Sequence, residues 1–126
     1  MNFVPFSLYL IKYPKDEGGV ATSVKAIILA KKGRSAEAEA AIKKAEEIGA
    51  EFGHFHHTAY NIAIAYATLK KPDLAVKYLQ MAADDGFPCY PLFDGDEFLK
   101  EMRHYPGYIS LLAKLKVQWE RYNSTL

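Results

Sequence analysis

The stretch from His57 to Pro88 constrains the fold most, because it contains two helical patterns joined by a tight turn. Apolar residues recur at helical spacing in both patterns. The apolar positions are Tyr60, Ile62, Ala63, Tyr66 and Leu69 in the first pattern and Leu74, Ala75, Tyr78, Leu79 and Ala82 in the second. Pro72 marks the turn, because proline is tolerated in the first turn of a helix and not in its interior. The stretch therefore predicts a pair of antiparallel helices that ends at Gly86.

The same residues resemble a tetratricopeptide (TPR) repeat, whose pattern is W-x2-L-G-x2-Y, then A-x3-F, then P. Ile62, Ala63 and Tyr66 stand at the L, G and Y positions, and Ala75 and Leu79 form the A-x3-F pair. The chain departs from the pattern at the Trp position, which holds Ala59, and Pro88 falls one residue late. Helices pack about 8–10 Å apart only where their contact points are small. Ala63, Ala75 and Ala82 are those points.

A second, weaker repeat precedes this one, with helices predicted over 20–32 and 36–48. Gly33 lies in its turn, and Ser35 is a suitable N-cap because its hydroxyl can accept a backbone N–H. Its register has two interpretations. Direct alignment puts Lys25 and Leu29 at the L and Y positions, whereas a slip of one residue puts Val24 and Ile28 there.

A degenerate third hairpin is expected at the C-terminal end of the sequence. Asp96 can cap a short helix over 97–103, and Pro106 can begin a final helix that runs to about Tyr122. The inner face of that helix is predicted to hold Tyr108, Ile109, Leu112, Leu115 and Trp119. This part resembles the C-terminal end of bacterial TPR arrays. The predicted fold is all-α: a short TPR-like α-solenoid of antiparallel helix hairpins with a C-terminal capping helix.

The domain organisation expected is an apolar arm and linker over 1–19, followed by a TPR-like domain over 20–126. Its repeats cover about 20–49 and 56–88, and the third hairpin covers 96–122. The arm has three interpretations. It packs on the first helix pair, it is the degenerate end of a longer array of which this chain is a fragment, or it forms a homodimer contact through residues 1–13. Its apolar start lacks a basic region and is interrupted by Pro5, so we expect neither a signal peptide nor an anchor.

Composition argues against several classes of function. The formal charge of +1 gives no support for nucleic-acid binding, which needs a basic domain. No apolar run reaches the roughly 18 residues of a membrane span, so no membrane partner is expected. The single cysteine, Cys89, excludes an internal disulfide and is consistent with a reducing, cytoplasmic location.

Candidate chemistry is sparse. His54, His56 and His57 cluster before the second repeat, but a metal site needs three or four convergent ligands and no standard spacing is matched. Cys89 would be a nucleophile only with a base such as His104 within reach, and no neighbouring charge predicts a lowered thiol pKa. We expect no enzyme activity and no cofactor.

The TPR resemblance implies a concave groove lined by the first helix of each repeat. The groove positions are Ser23, Ile27, Lys31, His57, Tyr60, Ile64 and Thr68. Tyr60 is the expected anchor, since tyrosine supplies a large contact area at low entropic cost. The alternative is that the N-terminal arm covers Tyr60 and Ile64. Chaperone-binding TPR domains hold the carboxylate of a peptide with Lys and Asn on the groove face of the first repeat. Ser23 and Ile27 stand at those positions here, so we do not expect a chaperone co-factor of that type.

The sequence therefore predicts a scaffold that binds a protein or peptide partner through this groove. The alternative is a regulatory or assembly fragment whose groove is occupied by the chain itself. A metal-binding protein that uses the histidine cluster is the third interpretation.

Overall fold

The computed structural model describes residues 16–50 and 55–125, and the described residues form helices and no strand. The α-helices are α1 (Val20–Lys31), α2 (Ser35–Gly49), α3 (His56–Thr68), α4 (Pro72–Asp84), α5 (Tyr90–Gly95) and α6 (Pro106–Thr125). Two 3-10 helices, Glu17–Gly19 and Glu97–Met102, precede α1 and α6. The prediction of an all-α fold is confirmed for these residues.

The first four helices pack as two pairs, α1 on α2 and α3 on α4, and α1 also lies against α3. Alanines that stand 37 positions apart in the sequence are completely buried in both pairs. They are Ala26 with Ala63, Ala38 with Ala75, and Ala45 with Ala82. This offset is that of the direct register. Burial agrees with it at the Y position, where Leu29 is buried and the alternative Ile28 is half-buried. At the L position it does not, because Lys25 is exposed.

Three of the helices end in the same hydrogen-bonded turn. The amides of Arg34, Lys71 and Phe87 donate to the carbonyls of Leu29, Tyr66 and Ala82, at 3.0, 2.9 and 3.1 Å. A residue with positive φ precedes each amide: Gly33 at +75°, Lys70 at +61° and Gly86 at +105°. This is the Schellman arrangement, which satisfies carbonyls that the helix end leaves unpaired.

The predicted linker over 14–19 includes a packed junction. Gly18 and Gly19 are buried, and the hydroxyl of Thr58 donates to the carbonyl of Gly18 at 2.6 Å. A Cβ on Gly19 would lie 2.5 Å from the carbonyl oxygen of Ala45, so glycine permits this close approach. The Asp16 carboxylate accepts the first-turn amides of Ala21 and Thr22 at 2.7 and 3.1 Å, although Gly19 is the N-cap residue of α1. The arm over 1–13 lies outside the described residues.

Some local predictions are wrong. Ser35 is the first residue of α2, and the N-cap is Arg34, which makes no side-chain cap bond. Residues 90–95, to which the sequence analysis assigned no helix, form the short helix α5. Ile109 is 51% exposed, and Leu111 takes its place on the buried face of α6.

The C-terminal elements cover the second helix pair from two sides. Helix α6 packs on α4 and α5, and the 3-10 helix Glu97–Met102 lies against α3. The Tyr108 hydroxyl ties α6 to α5 by donating to the Phe93 carbonyl at 2.8 Å. The predicted cap of Asp96 is confirmed, because its carboxylate accepts the amide of Phe98 at 2.9 Å.

Candidate functional site

Helices α1 and α3 lie side by side, so the groove positions predicted on them share one region of the molecule. Ser23 lies within the contact between these two helices and is completely buried. Its hydroxyl donates to the carbonyl of Val20 at 2.6 Å and accepts the Asn61 amide at 3.1 Å. Ser23 and Asn61 therefore fix the packing of the two helices, and Ser23 does not line an open surface.

Tyr60 is buried, with 8% of its surface exposed, so the predicted anchor is covered in this structure. Its ring lies among aromatic rings that follow α4. The ring centroids of Phe87 and Phe93 lie 5.8 and 5.2 Å away. The Tyr60 hydroxyl donates to the Asp96 carboxylate. The cover described here is thus the chain's own C-terminal region.

Burial raises the pKa of the Tyr60 phenol far above its usual value, and the hydrogen bond to the anionic Asp96 raises it further. The phenol is therefore a neutral donor at any physiological pH. Asp96 accepts both this hydroxyl and the Phe98 amide, so one carboxylate joins α3 to the start of the 3-10 helix. Hydrogen bonds to an ionised acceptor are among the stronger ones in proteins.

Lys31, at the end of α1, contacts the same C-terminal region. Its ammonium nitrogen lies 3.9 Å from the centre of the Phe98 ring, which is a cation–π distance. Residues 96–102, which we call the closing segment, therefore bond to Tyr60 on α3 and to Lys31 on α1. Leu99 and Met102 of this segment are buried in the core.

The remaining groove positions are divided between the core and the surface. Ile64 is buried, and Ile27 packs half-buried against the core. The Thr68 hydroxyl donates to the Ile64 carbonyl within α3 at 2.9 Å. His57 is exposed, with its ring 5.8 Å from Phe87. Of the predicted positions, Tyr60 and Lys31 therefore contact the closing segment.

The closing segment was not recognised as part of the site from the sequence, which assigned Asp96 a capping role alone. A signal was present: Asp96, Phe98 and Leu99 form a short amphipathic element that is too short to bury its apolar residues without a partner. What such an element packs against is a long-range property.

The histidine cluster gains no further support from the geometry. The Nδ1 atom of His56 lies 3.3 Å from Asp85 Oδ2, and its ring stacks on Phe87 at 5.9 Å. His54 lies outside the described residues. Within residues 16–50 and 55–125, His, Cys, Asp and Glu side chains nowhere form a group of three able to hold a metal ion.

Cys89, the other candidate for chemistry, is half-buried at the N-cap of α5. It lines a recess of about 200 Å³ with Phe87, Trp119 and Tyr122 among its other walls.

None of the helices in the described part of the chain combines the length and the apolar character that crossing a membrane requires. Comparison of the chain with protein-family models, with curated proteins and with solved structures gives no match.

Proposed function

We propose that this chain is a non-enzymatic protein-interaction module of the TPR-like helical-hairpin type, whose groove is closed by its own residues 96–102. The observation that carries the proposal is that the closing segment contacts the first helix of each pair, through Lys31 on α1 and Tyr60 on α3. Partner binding would then be regulated, because a partner must replace the closing segment on this face. The proposal combines the alternative in which the chain occupies its own groove with the use of that groove as the binding surface.

Replacement of the closing segment requires Leu99 and Met102 to leave the core, and its other properties favour release. Residues 97–102 form a 3-10 helix, whose hydrogen bonds are weaker than those of an α-helix and which seldom extends beyond four residues. Phe98 and Asp96 are half-buried, so water reaches both contacts. A partner with greater affinity for the open form shifts the population towards it.

Photo-crosslinking tests this proposal. The crosslinker is placed at His57, which is exposed beside Phe87, a ring that also contacts Tyr60, or at Glu47, which is exposed on α2. Phe98→Ala weakens closure by removing the ring beneath Lys31. We expect partner crosslinks from position 57 that increase with Phe98→Ala, and none from position 47. Equal crosslinking from both positions, or no effect of Phe98→Ala, would exclude the groove as the binding surface.

Assembly of identical chains is a second candidate function. Val117 and Tyr122 on the last turns of α6 are 52% and 63% exposed, and exposed apolar residues favour association. A homodimer contact through residues 1–13 belongs to the same proposal. Light scattering of the full chain, of Tyr122→Ser and of a chain without residues 1–13 separates the two contacts. A monomer at all concentrations would rule out both.

A further inference from the structure

We infer that the groove selects a partner segment with an acidic residue, any residue, an aromatic residue and a leucine in succession. This is the pattern of Asp96, Glu97, Phe98 and Leu99, so the closing segment acts as an internal copy of the partner's motif. The inference rests on the proposed function and adds the chemical class of the partner.

The acidic position follows from the donor that it meets. The Tyr60 phenol is neutral, and the rings of Phe87 and Phe93 lie beside it. Neither ring belongs to the closing segment, so both remain when that segment leaves. A hydroxyl in such apolar surroundings loses free energy when it has no acceptor. A carboxylate is the acceptor that gives the strongest bond.

The aromatic position follows from Lys31. Its ammonium lies over the face of Phe98, where the ring presents negative charge to a cation. Lys31 is exposed, so it can place its ammonium over an aromatic ring of a partner in the same way. The groove therefore offers a neutral donor at Tyr60 and a cation at Lys31.

The spacing follows from the backbone of the closing segment. The Asp96 carboxylate accepts the amide of Phe98, two residues later, while it also accepts the Tyr60 hydroxyl. An acid two residues before the aromatic residue thus forms the turn and makes the contact. Leu99 is completely buried directly after Phe98, which adds an apolar anchor.

The tether determines how strongly a separate segment can compete. A segment linked by a short connection has an effective concentration on the order of millimolar. The apparent affinity for a separate peptide falls by the fraction of molecules that are open. The unaltered chain should therefore bind a separate segment weakly, and loosening the closing segment should strengthen that binding without new contacts.

The probe is a labelled, end-blocked peptide with the sequence of residues 95–103, titrated by fluorescence anisotropy. The hosts are the full wild-type chain and the full chain with Asp96→Asn and Phe98→Ala, which retains Leu99 and Met102. We expect at least tenfold tighter binding to the loosened chain. The same peptide carrying Asp96→Asn and Phe98→Ala should bind the loosened chain with at least tenfold lower affinity. Adding Tyr60→Phe or Lys31→Ala to the loosened host should weaken binding about tenfold and about threefold.

The inference is wrong if the loosened chain melts cooperatively yet does not bind, or binds both peptides equally. If the loosened chain does not fold, hydrogen exchange on the wild-type chain replaces it. Excess peptide should then accelerate exchange of the amides of residues 98–102, and the control peptide should not. Unchanged exchange would also refute the inference.

Two further outcomes separate this inference from the proposed function. A partner that crosslinks at position 57 but lacks the pattern refutes the inference and leaves the proposed function standing. A loosened chain that dimerises, with a dimer that the peptide dissociates, identifies a second copy as the occupant and also refutes a separate partner.

Discussion

At the scale of single residues, Lys70 is the non-glycine residue with positive φ among the described residues, at +61°. It follows α3 at the position that Gly33 holds after α1, 37 residues earlier in the sequence. A left-handed conformation costs a residue with a Cβ about 1–2 kcal/mol, which glycine does not incur. Lys70 is exposed, so nothing else in its surroundings opposes a change of side chain.

Lys70→Gly should therefore raise the free energy of unfolding by about 0.5–1 kcal/mol, since relief of strain exceeds the added flexibility of the unfolded chain. Gly33→Lys is the matched control and should lower it by a similar amount. Urea denaturation at pH 7 measures both. A Lys70→Gly chain that is less stable than the wild type would show that the turn is not strained.

Tyr60 and Asp96 form the residue contact that matters most for the proposed function. Tyr60→Phe keeps the ring and removes the hydroxyl that Asp96 accepts. Hydrogen bonds to charged groups contribute about 1.5–3 kcal/mol, and Asp96 is half-buried, so we expect a loss near the lower limit. Thermal melts should show the loss, whereas Tyr122→Phe, on an exposed tyrosine, should melt like the wild type.

At the scale of elements, the helix pairs depend on small residues where they cross. Ala75 is completely buried in α4, at the crossing that the TPR resemblance predicted. Ala75→Leu should cost about 1–3 kcal/mol of stability, because the added methyl groups must displace packed neighbours. Ala113→Leu, on the exposed side of α6, is the control and should change stability by less than about 0.5 kcal/mol. Equal effects in denaturation would show that Ala75 is not a crossing point.

Helix α6 stabilises the second helix pair through one face. Tyr108, Leu111 and Leu115 are buried on that face, while Val117 is 52% exposed. Leu115→Ala should cost about 2–5 kcal/mol, the usual range for a buried leucine. Val117→Ala on the same helix should cost far less. Calorimetric melting of both variants tests whether α6 acts as a structural cap.

At the scale of the whole molecule, two buried tyrosines should make stability depend on alkaline pH. Burial raises the pKa of the Tyr108 phenol to about 12 from its usual 10, and that of Tyr60 is raised further. The folded chain retains these protons where the unfolded chain releases them. Both contributions are therefore complete below pH 10 and decrease above it: that of Tyr108 is lost as the pH rises through about 12, and that of Tyr60 continues to decrease at higher pH.

The melting temperature should accordingly fall between pH 10 and pH 12, and tyrosinate absorbance should rise together with unfolding. The variant with Tyr60→Phe and Tyr108→Phe should show a shallower fall over the same range. Tyr122→Phe should leave the slope unchanged, because this side chain is exposed. Identical slopes for the wild type and the double variant would show that neither phenol is protected.

The sequence alone determined the features that depend on neighbouring residues. The helix pairs, the buried Ala63, Ala75 and Ala82, and the cap of Asp96 were all predicted from local spacing. These predictions succeed because a helix repeats its face every three to four residues, and because capping involves adjacent residues. The predicted groove positions could likewise be assigned to one face of a helix. The sequence did not show whether that face is buried in the core or exposed to solvent.

The tertiary structure alone decided what covers that face. The Tyr60 hydroxyl meets a carboxylate 36 residues further along the chain, a distance over which no local pattern operates. Leu111 rather than Ile109 is buried on α6, because the packing of α6 on α4 and α5 fixes the orientation of the helix. Exposure is a property of all the elements around a residue. The helix faces could therefore be predicted from the sequence, whereas the packing of residues 96–102 against Tyr60 and Lys31 could not.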